Sequence, residues 1–107
     1  MLLTFLFAAQ VAATPPTPAP RGLVSYEDYP PEALRKGQQG DVRVQLTVSD
    51  KGRAIDCKVV ESSGSKALDD RTCQIMLERA RFSPAVDPSG HPVGGKFTTP
   101  VIRWRLQ

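Results

Sequence analysis

The stretch GDVRVQLTVSDKGRAIDCKVVESSG, residues 40–64, decides the fold of this chain. In its first half, apolar residues alternate with polar ones, as is typical of a β-strand with one buried face: Val42, Val44, Leu46 and Val48. A turn over residues 49–52 follows, with Gly52 suited to a positive φ. The second half predicts another strand, one face of which carries Ile55, Cys57 and Val59. Because a lone hairpin is marginally stable in water, other elements must cover its apolar face.

Helical signals stand on both sides of the hairpin. Before it, two prolines, Glu32 and a basic pair are placed as in a helix of about two turns that ends at Gly37. After it, Ser65 suits an N-cap, and Pro84 ends a second helix, predicted from about residue 66 to residue 81. One side of this second helix carries residues with helical spacing: Leu68, Thr72, Ile75, Met76 and Phe82.

The chain ends in a third predicted strand, residues 97–106, which follows a loop over residues 87–96. A proline inside a strand, here Pro100, is tolerated chiefly at a sheet edge. The order helix, strand, strand, helix, strand is most simply a split β-α-β unit. We therefore predict an α+β fold with a three-stranded antiparallel-type sheet of order 2-1-3 and two helices packed on one face.

The N-terminal residues predict export. Residues 2–13 are mostly apolar, and about twelve residues are too short to cross a bilayer, which needs roughly twenty. Residues 1–13 are interpreted as a signal peptide cut before Thr14, or as a truncated membrane anchor. Residues 14–25 are interpreted as a Pro-rich linker, and residues 26–107 as one domain.

Charge is distributed unevenly along the chain. Residues 79–107 hold five basic residues against Asp87, a net charge of +4, so the remaining residues sum to −1 within a total of +3. A basic C-terminal third favours an acidic partner, although a solvated surface is the simpler interpretation. No standard nucleic-acid-binding motif is present, so no nucleic-acid partner is expected.

The two cysteines predict a structural crosslink. Cys57 lies on the apolar face of the second strand and Cys73 in the helix that follows. In an oxidising compartment a disulfide between them would pin helix to sheet, and two buried free thiols are the alternative. The spacing is not that of a redox-active Cys-x-x-Cys pair.

Candidate catalytic and metal-binding residues are few. The only histidine, His91, lies in a loop with no second metal ligand near it in sequence. Asp69 and Asp70 are adjacent, so they point to different sides of a helix, and the serines of residues 62–65 have no histidine near them in sequence. We expect no catalytic residues, no bound metal and no cofactor.

The motifs together resemble the C-terminal domain of TonB-family energy transducers, over residues 26–107. The resemblance depends on the order and spacing of short motifs: Tyr29-Pro30, Ala33-Leu34, Gly40, the alternating valines, Asp50-Lys51-Gly52, Val59, Ser62-Ser63-Gly64, Leu68-Asp69, Phe82, Pro84-Ala85, Gly90 and Pro100-Val101. It implies a periplasmic domain that binds the TonB-box peptides of outer-membrane receptors by strand addition. Energy from a proton-driven inner-membrane complex would then bring siderophores or vitamin B12 across the outer membrane.

By the same resemblance, Tyr29 and Pro30 would lie near the receptor, and the last strand would form the peptide-binding edge: Val101, Ile102, Arg103, Trp104, Arg105 and Leu106. Arg103 and Arg105 point away from the predicted core, where they would attract an acidic peptide or, alternatively, block aggregation at an exposed edge. A structural module that forms homodimers through its sheet edge is the second hypothesis.

Overall fold

The computed structural model describes residues 14–18 and 23–107, and the prediction made for residues 1–13 lies outside them. The first half of the chain forms strand β1 (Thr17–Pro18), a 3₁₀ helix (Tyr26–Asp28), helix α1 (Pro31–Arg35) and strands β2 (Gly40–Val48) and β3 (Ala54–Glu61). Helix α2 (Lys66–Arg79) follows, and then five short strands: β4 (Phe82–Ser83), β5 (Ala85–Val86), β6 (Pro92–Val93), β7 (Gly95–Thr98) and β8 (Ile102–Trp104). The predicted α+β class is therefore confirmed.

The main sheet has β2 at its centre. β3 pairs with one side of β2, and β7 and β8 both pair with the other side, all antiparallel. The third strand of the prediction is thus two strands in line, separated by residues 99–101, because Pro100 has no N–H to give to a sheet. In the described residues, β1 with β4 and β5 with β6 form two further small sheets, the second within and beside the predicted loop.

Two bulges interrupt the pairing of β2 with β3. Thr47 lies opposite Asp56, but Val48 lies opposite Ala54. Ile55 therefore has no residue opposite it on β2. At the second bulge, between Val59 and Glu61, Val60 likewise has no residue opposite it on β2. An extra residue in a strand turns away from the ladder. The prediction that Ile55 lies on the buried face is therefore wrong: its side chain is 63% exposed.

The core lies between β2 and the two helices. The alternating residues of β2 are completely buried, as are Ala33 of α1 and Leu68 and Ile75 of α2. The Ser65 hydroxyl accepts a hydrogen bond from the Leu68 N–H, which confirms the predicted N-cap. The apolar faces that the sequence pattern predicts for β2 and α2 thus meet in one cluster.

Helix α2 ends two residues before the predicted position, at Arg79. The backbone leaves the helix at Ala80, and the Phe82 N–H donates to the Gly52 carbonyl over 2.9 Å. A Cβ at Gly52 would lie 2.1 Å from the Phe82 carbonyl oxygen, so only glycine allows this approach. Phe82 consequently lies in β4 and not on the helix as predicted, because the hairpin turn competes for its backbone.

A disulfide joins the sheet to α2. Cys57 of β3 is bonded to Cys73 of α2, with their Cα atoms 5.7 Å apart. This confirms the predicted disulfide, and the alternative of two free thiols does not apply.

Candidate peptide-binding site

The last strand, defined here as β7 and β8 with residues 99–101 between them, forms one edge of the main sheet. Thr99 bridges the break in its pairing. The Thr99 N–H donates to the Val44 carbonyl over 2.9 Å, and the Thr99 hydroxyl accepts from the Val44 N–H over 3.2 Å. A side-chain oxygen thus supplies the acceptor where the backbone turns toward Pro100. The two halves of the last strand remain held to β2.

The outer side of the last strand carries no partner strand within residues 14–18 and 23–107. Both of its halves pair with β2 alone. No described strand pairs with its backbone N–H and C=O groups on that side, and unpaired edge groups are the requirement for peptide recognition by strand addition.

The inner face of the last strand is anchored in the core by Trp104. Its indole N–H donates to the Thr72 hydroxyl over 2.9 Å, and that hydroxyl donates to the Leu68 carbonyl. The Tyr29 ring packs edge-on against the indole, with centroids 5.3 Å apart. These contacts fix the position of the edge relative to α2.

Tyr29 packs against Trp104 of the last strand and is only 5% exposed. Its hydroxyl donates to the Gln38 carbonyl, and burial raises the pKa of its phenol. Pro30 is half-buried beside it. Tyr29 and Trp104 therefore hold the edge in place, and their side chains are not presented to a partner.

The outward face of the last strand carries Val101, Arg103 and Arg105, all exposed. Arg105 is already paired: its guanidinium lies 2.7 Å from the Asp41 carboxylate on β2. Arg103 forms no side-chain ion pair or hydrogen bond within the described part of the chain. Of the two arginines, Arg103 is therefore the one available to an acidic partner.

An apolar cavity, here called the edge groove, opens beside the last strand and has a volume of about 790 Å³. Phe97, Pro100 and Ile102 of the last strand line one wall. The remaining walls come from distant parts of the chain, and include Leu23, Met76 and Phe82. Leu46 at the centre of the core also lines it, so the groove reaches the core from the sheet edge.

Asp28 holds the residues before α1 in place against α2. Both nitrogens of the Arg79 guanidinium contact its carboxylate, at 2.8 and 2.9 Å, and Arg71 adds a third contact at 3.2 Å. The hydrogen bond from Arg79, helped by the Ser25 N–H, lowers the pKa of Asp28 to about 2 against the opposing effect of burial. Arg79 also donates to the Leu23 carbonyl and so fixes one wall of the edge groove.

The first described residues, 14–18, pack on the domain and add a strand to it. Thr14 and Val86 exchange both backbone hydrogen bonds, and Thr17 and Pro18 lie opposite Ser83 and Phe82. Pro16 is buried, and its ring would lie 3.0 Å from a Cβ placed at Gly95. The composition of this segment indicates an extended chain, but nothing local in the sequence identifies the surface on which it packs.

The residues considered for catalysis have structural partners. Burial raises the pKa of Asp69, but hydrogen bonds from Ser62 and Ser63 outweigh it and lower the pKa. Asp70 pairs with Lys66 on the exposed side of α2. In the β5–β6 loop, the Nδ1 atom of His91 lies 3.7 Å from the Oδ1 atom of Asp87.

Residues 14–18 and 23–107 contain no group of three or more side chains placed to hold a metal ion. No helix within those ranges is long and apolar enough to cross a membrane.

Comparison with known proteins identifies the family. The family described as "Gram-negative bacterial TonB protein C-terminal" matches residues 25–106, and the chain belongs to this family of non-enzymatic energy transducers. The chain is 37% identical over 68 residues to Protein TonB of Pseudomonas putida. That match covers 64% of this chain and 28% of the relative, so the chain spans little more than a quarter of that protein's length.

The fold is also similar to a solved structure. The solution NMR structure of the Pseudomonas aeruginosa TonB C-terminal domain superposes with a TM-score of 0.62 and 28% identity, and the match covers 88% of this chain and 89% of that one.

Proposed function

We propose that this chain is a periplasmic TonB-like domain that binds the TonB-box peptides of outer-membrane receptors by adding them as a strand to its sheet. The observation that carries the proposal is the open outer side of the last strand, which pairs with β2 alone within the described residues. Membership of the TonB C-terminal family supports it. The receptors would be those that take up siderophores or vitamin B12.

The proposed binding edge comprises Val101, Ile102, Arg103, Trp104, Arg105 and Leu106. The backbone of these residues supplies the affinity, and Arg103 attracts acidic residues of the receptor. Tyr29 acts indirectly, by supporting Trp104 from the core side, and Pro30 directly follows it at the start of α1. In the same proposal, a proton-driven complex of the inner membrane supplies the energy that the domain passes to the receptor.

An NMR titration with a synthetic TonB-box peptide tests this function. We expect amide shifts at Ile102, Arg103 and Trp104 that saturate with peptide and leave β3 unchanged. The matched control is the same peptide with proline at its centre, which cannot donate to the ladder and should bind much more weakly. Shifts confined to other surfaces, or none, would contradict the proposal.

The same open edge supports an alternative, in which two copies of the chain pair through their last strands as a structural module. Sedimentation over a range of concentrations separates the two functions. A stable dimer that excludes the peptide would favour the alternative.

A further inference from the structure

We propose that the edge groove receives the inward side chains of the bound peptide, so that the domain selects peptides in which apolar and acidic residues alternate. The inference rests on the proposed function, because it assumes that a strand is added at the outer side of the last strand. It goes further by assigning a cavity and a residue pattern to that partner.

The position of the groove follows from strand geometry. Side chains of an added strand alternate between the two faces of the sheet, and every second one points to the core side. On that side the neighbouring residues of the last strand are Phe97 and Ile102, both half-buried and both lining the edge groove. An inward side chain of the peptide would therefore enter the groove beside them.

Most of the walls of the edge groove are apolar and favour an apolar occupant. The polar and charged groups that line the groove are mostly engaged within the domain: the Thr99 hydroxyl by Val44, and the Arg79 guanidinium by Asp28 and Leu23. Arg81 also lines the groove, and its exposed guanidinium donates to the carbonyls of Glu78 and Ala80. The remaining walls are aliphatic or aromatic, so an apolar side chain fits and a charged one would lose its hydration.

The outward face of the last strand favours acidic side chains of a bound peptide. There an added strand meets Arg103, which has no ionic partner in the described ranges, while Arg105 is occupied by Asp41. Residues of the peptide that alternate with the apolar ones would lie beside this guanidinium. Acidic residues at those positions gain an ion pair and do not enter the groove.

Two synthetic peptides of identical composition test the pattern on the unaltered chain. In one, valine and glutamate alternate, and in the other they occur in pairs, Val-Val-Glu-Glu. Only the alternating peptide can turn all its valines to the side of the groove and all its glutamates to the face that carries Arg103. We expect it to bind about tenfold more tightly, measured by calorimetry, since each misplaced valine forfeits its burial.

Variants locate the effect. Ile102→Ala should weaken binding of the alternating peptide by about fivefold, because it removes part of the groove wall. The matched control is Ile55→Ala, the same change at an exposed position of β3, away from the last strand. It should change the affinity for the peptide by less than about twofold. Contacts between valine methyl groups and the Phe97 ring, observed by NMR, would give the direct evidence.

The outcomes separate this inference from the proposed function. If both peptides shift the amides of the last strand equally, strand addition stands and the groove assignment is overturned. If neither peptide shifts those amides, both proposals fail. A dimer that forms with rising concentration and dissociates in Ile102→Ala would also overturn the assignment, because the occupant would then be a second copy.

Discussion

Asp28 is the residue on which the arrangement of the chain before α1 depends. One carboxylate receives both nitrogens of Arg79 and one of Arg71, and it also accepts the Ser25 N–H. Residues of one short 3₁₀ helix are thereby tied to a helix more than forty positions later in the chain. Because the carboxylate is only 9% exposed, its loss would leave two guanidinium groups without their partner.

Asp28→Asn should lower the free energy of unfolding at neutral pH by about 2 kcal/mol, the range found for hydrogen bonds to charged groups. The measurement is urea unfolding followed by circular dichroism. Asp70→Asn is the matched control, because it removes an exposed pair with Lys66 and should change stability by less than about 0.5 kcal/mol. Equal effects of the two substitutions would contradict the role given to Asp28.

The lowered pKa gives this contribution a defined pH range. The carboxyl has a pKa of about 2 in the folded chain against its ordinary value of 3.8. A lowered folded pKa means stabilisation that is fully present above the ordinary value and lost as the pH falls through the folded one. The stability difference between the unaltered chain and Asp28→Asn should therefore shrink between about pH 4 and pH 2. A difference that stays constant over that range would be inconsistent with this explanation.

At the scale of elements, the disulfide holds β3 to the middle of α2. It closes a short loop, with a sequence separation of 16, and the loss of chain entropy in the unfolded state should stabilise the fold by about 3 kcal/mol. Reduction should therefore lower the urea midpoint substantially. The double variant Cys57→Ala, Cys73→Ala should match the reduced chain and should not respond to reductant. A response of the double variant would mean that reductant acts elsewhere.

The elements that sequence reasoning predicted are those whose signal is local. Strict alternation of apolar and polar residues identified β2, and helical spacing of apolar residues identified α2. The N-cap of α2 was predicted from a single residue, Ser65. The exposure of Ile55 could not be predicted, since a bulge depends on how two strands align and not on either strand alone. The same holds for Phe82, whose place in β4 depends on the Gly52 turn.

The candidate site was predictable only in its backbone. Pro100 and the alternation of the last residues indicated an edge strand, and within residues 14–18 and 23–107 the last strand pairs with β2 alone. The edge groove was not predictable, because Leu23, Met76 and Phe82 meet only once the chain has folded. The distinction between Arg103 and Arg105 likewise depends on Asp41, which is more than sixty residues away in the chain.

At the scale of the whole molecule, residues 14–18 pack on the surface of the domain and pair with two of its short strands. Pro16 is buried close to Gly95, and Thr14 exchanges backbone hydrogen bonds with Val86. The segment thus has a defined place on the domain, beside β4 and β5. Pro18, at its other end, lines the edge groove, so the segment and a bound peptide would be neighbours.

Pro16→Ser should release this segment without unfolding the domain. The Val86 N–H, which donates to the Thr14 carbonyl, should then exchange with solvent about five to ten times faster, because an anchor of about 1 kcal/mol is removed. Pro15→Ser is the matched control, since Pro15 is exposed. The amide of Val44 in the core should be unaffected by either change. Equal exchange of Val86 in the two variants would show that Pro16 is not the anchor.

Trp104 has a further consequence, because it is the only tryptophan in the chain and is 2% exposed. Its fluorescence therefore comes from a single apolar environment, with the indole N–H held by Thr72. The emission is expected at short wavelength in the folded chain and should move to longer wavelength when that environment opens to water. Since this residue belongs to the last strand itself, the protein carries an intrinsic optical label at its candidate binding edge.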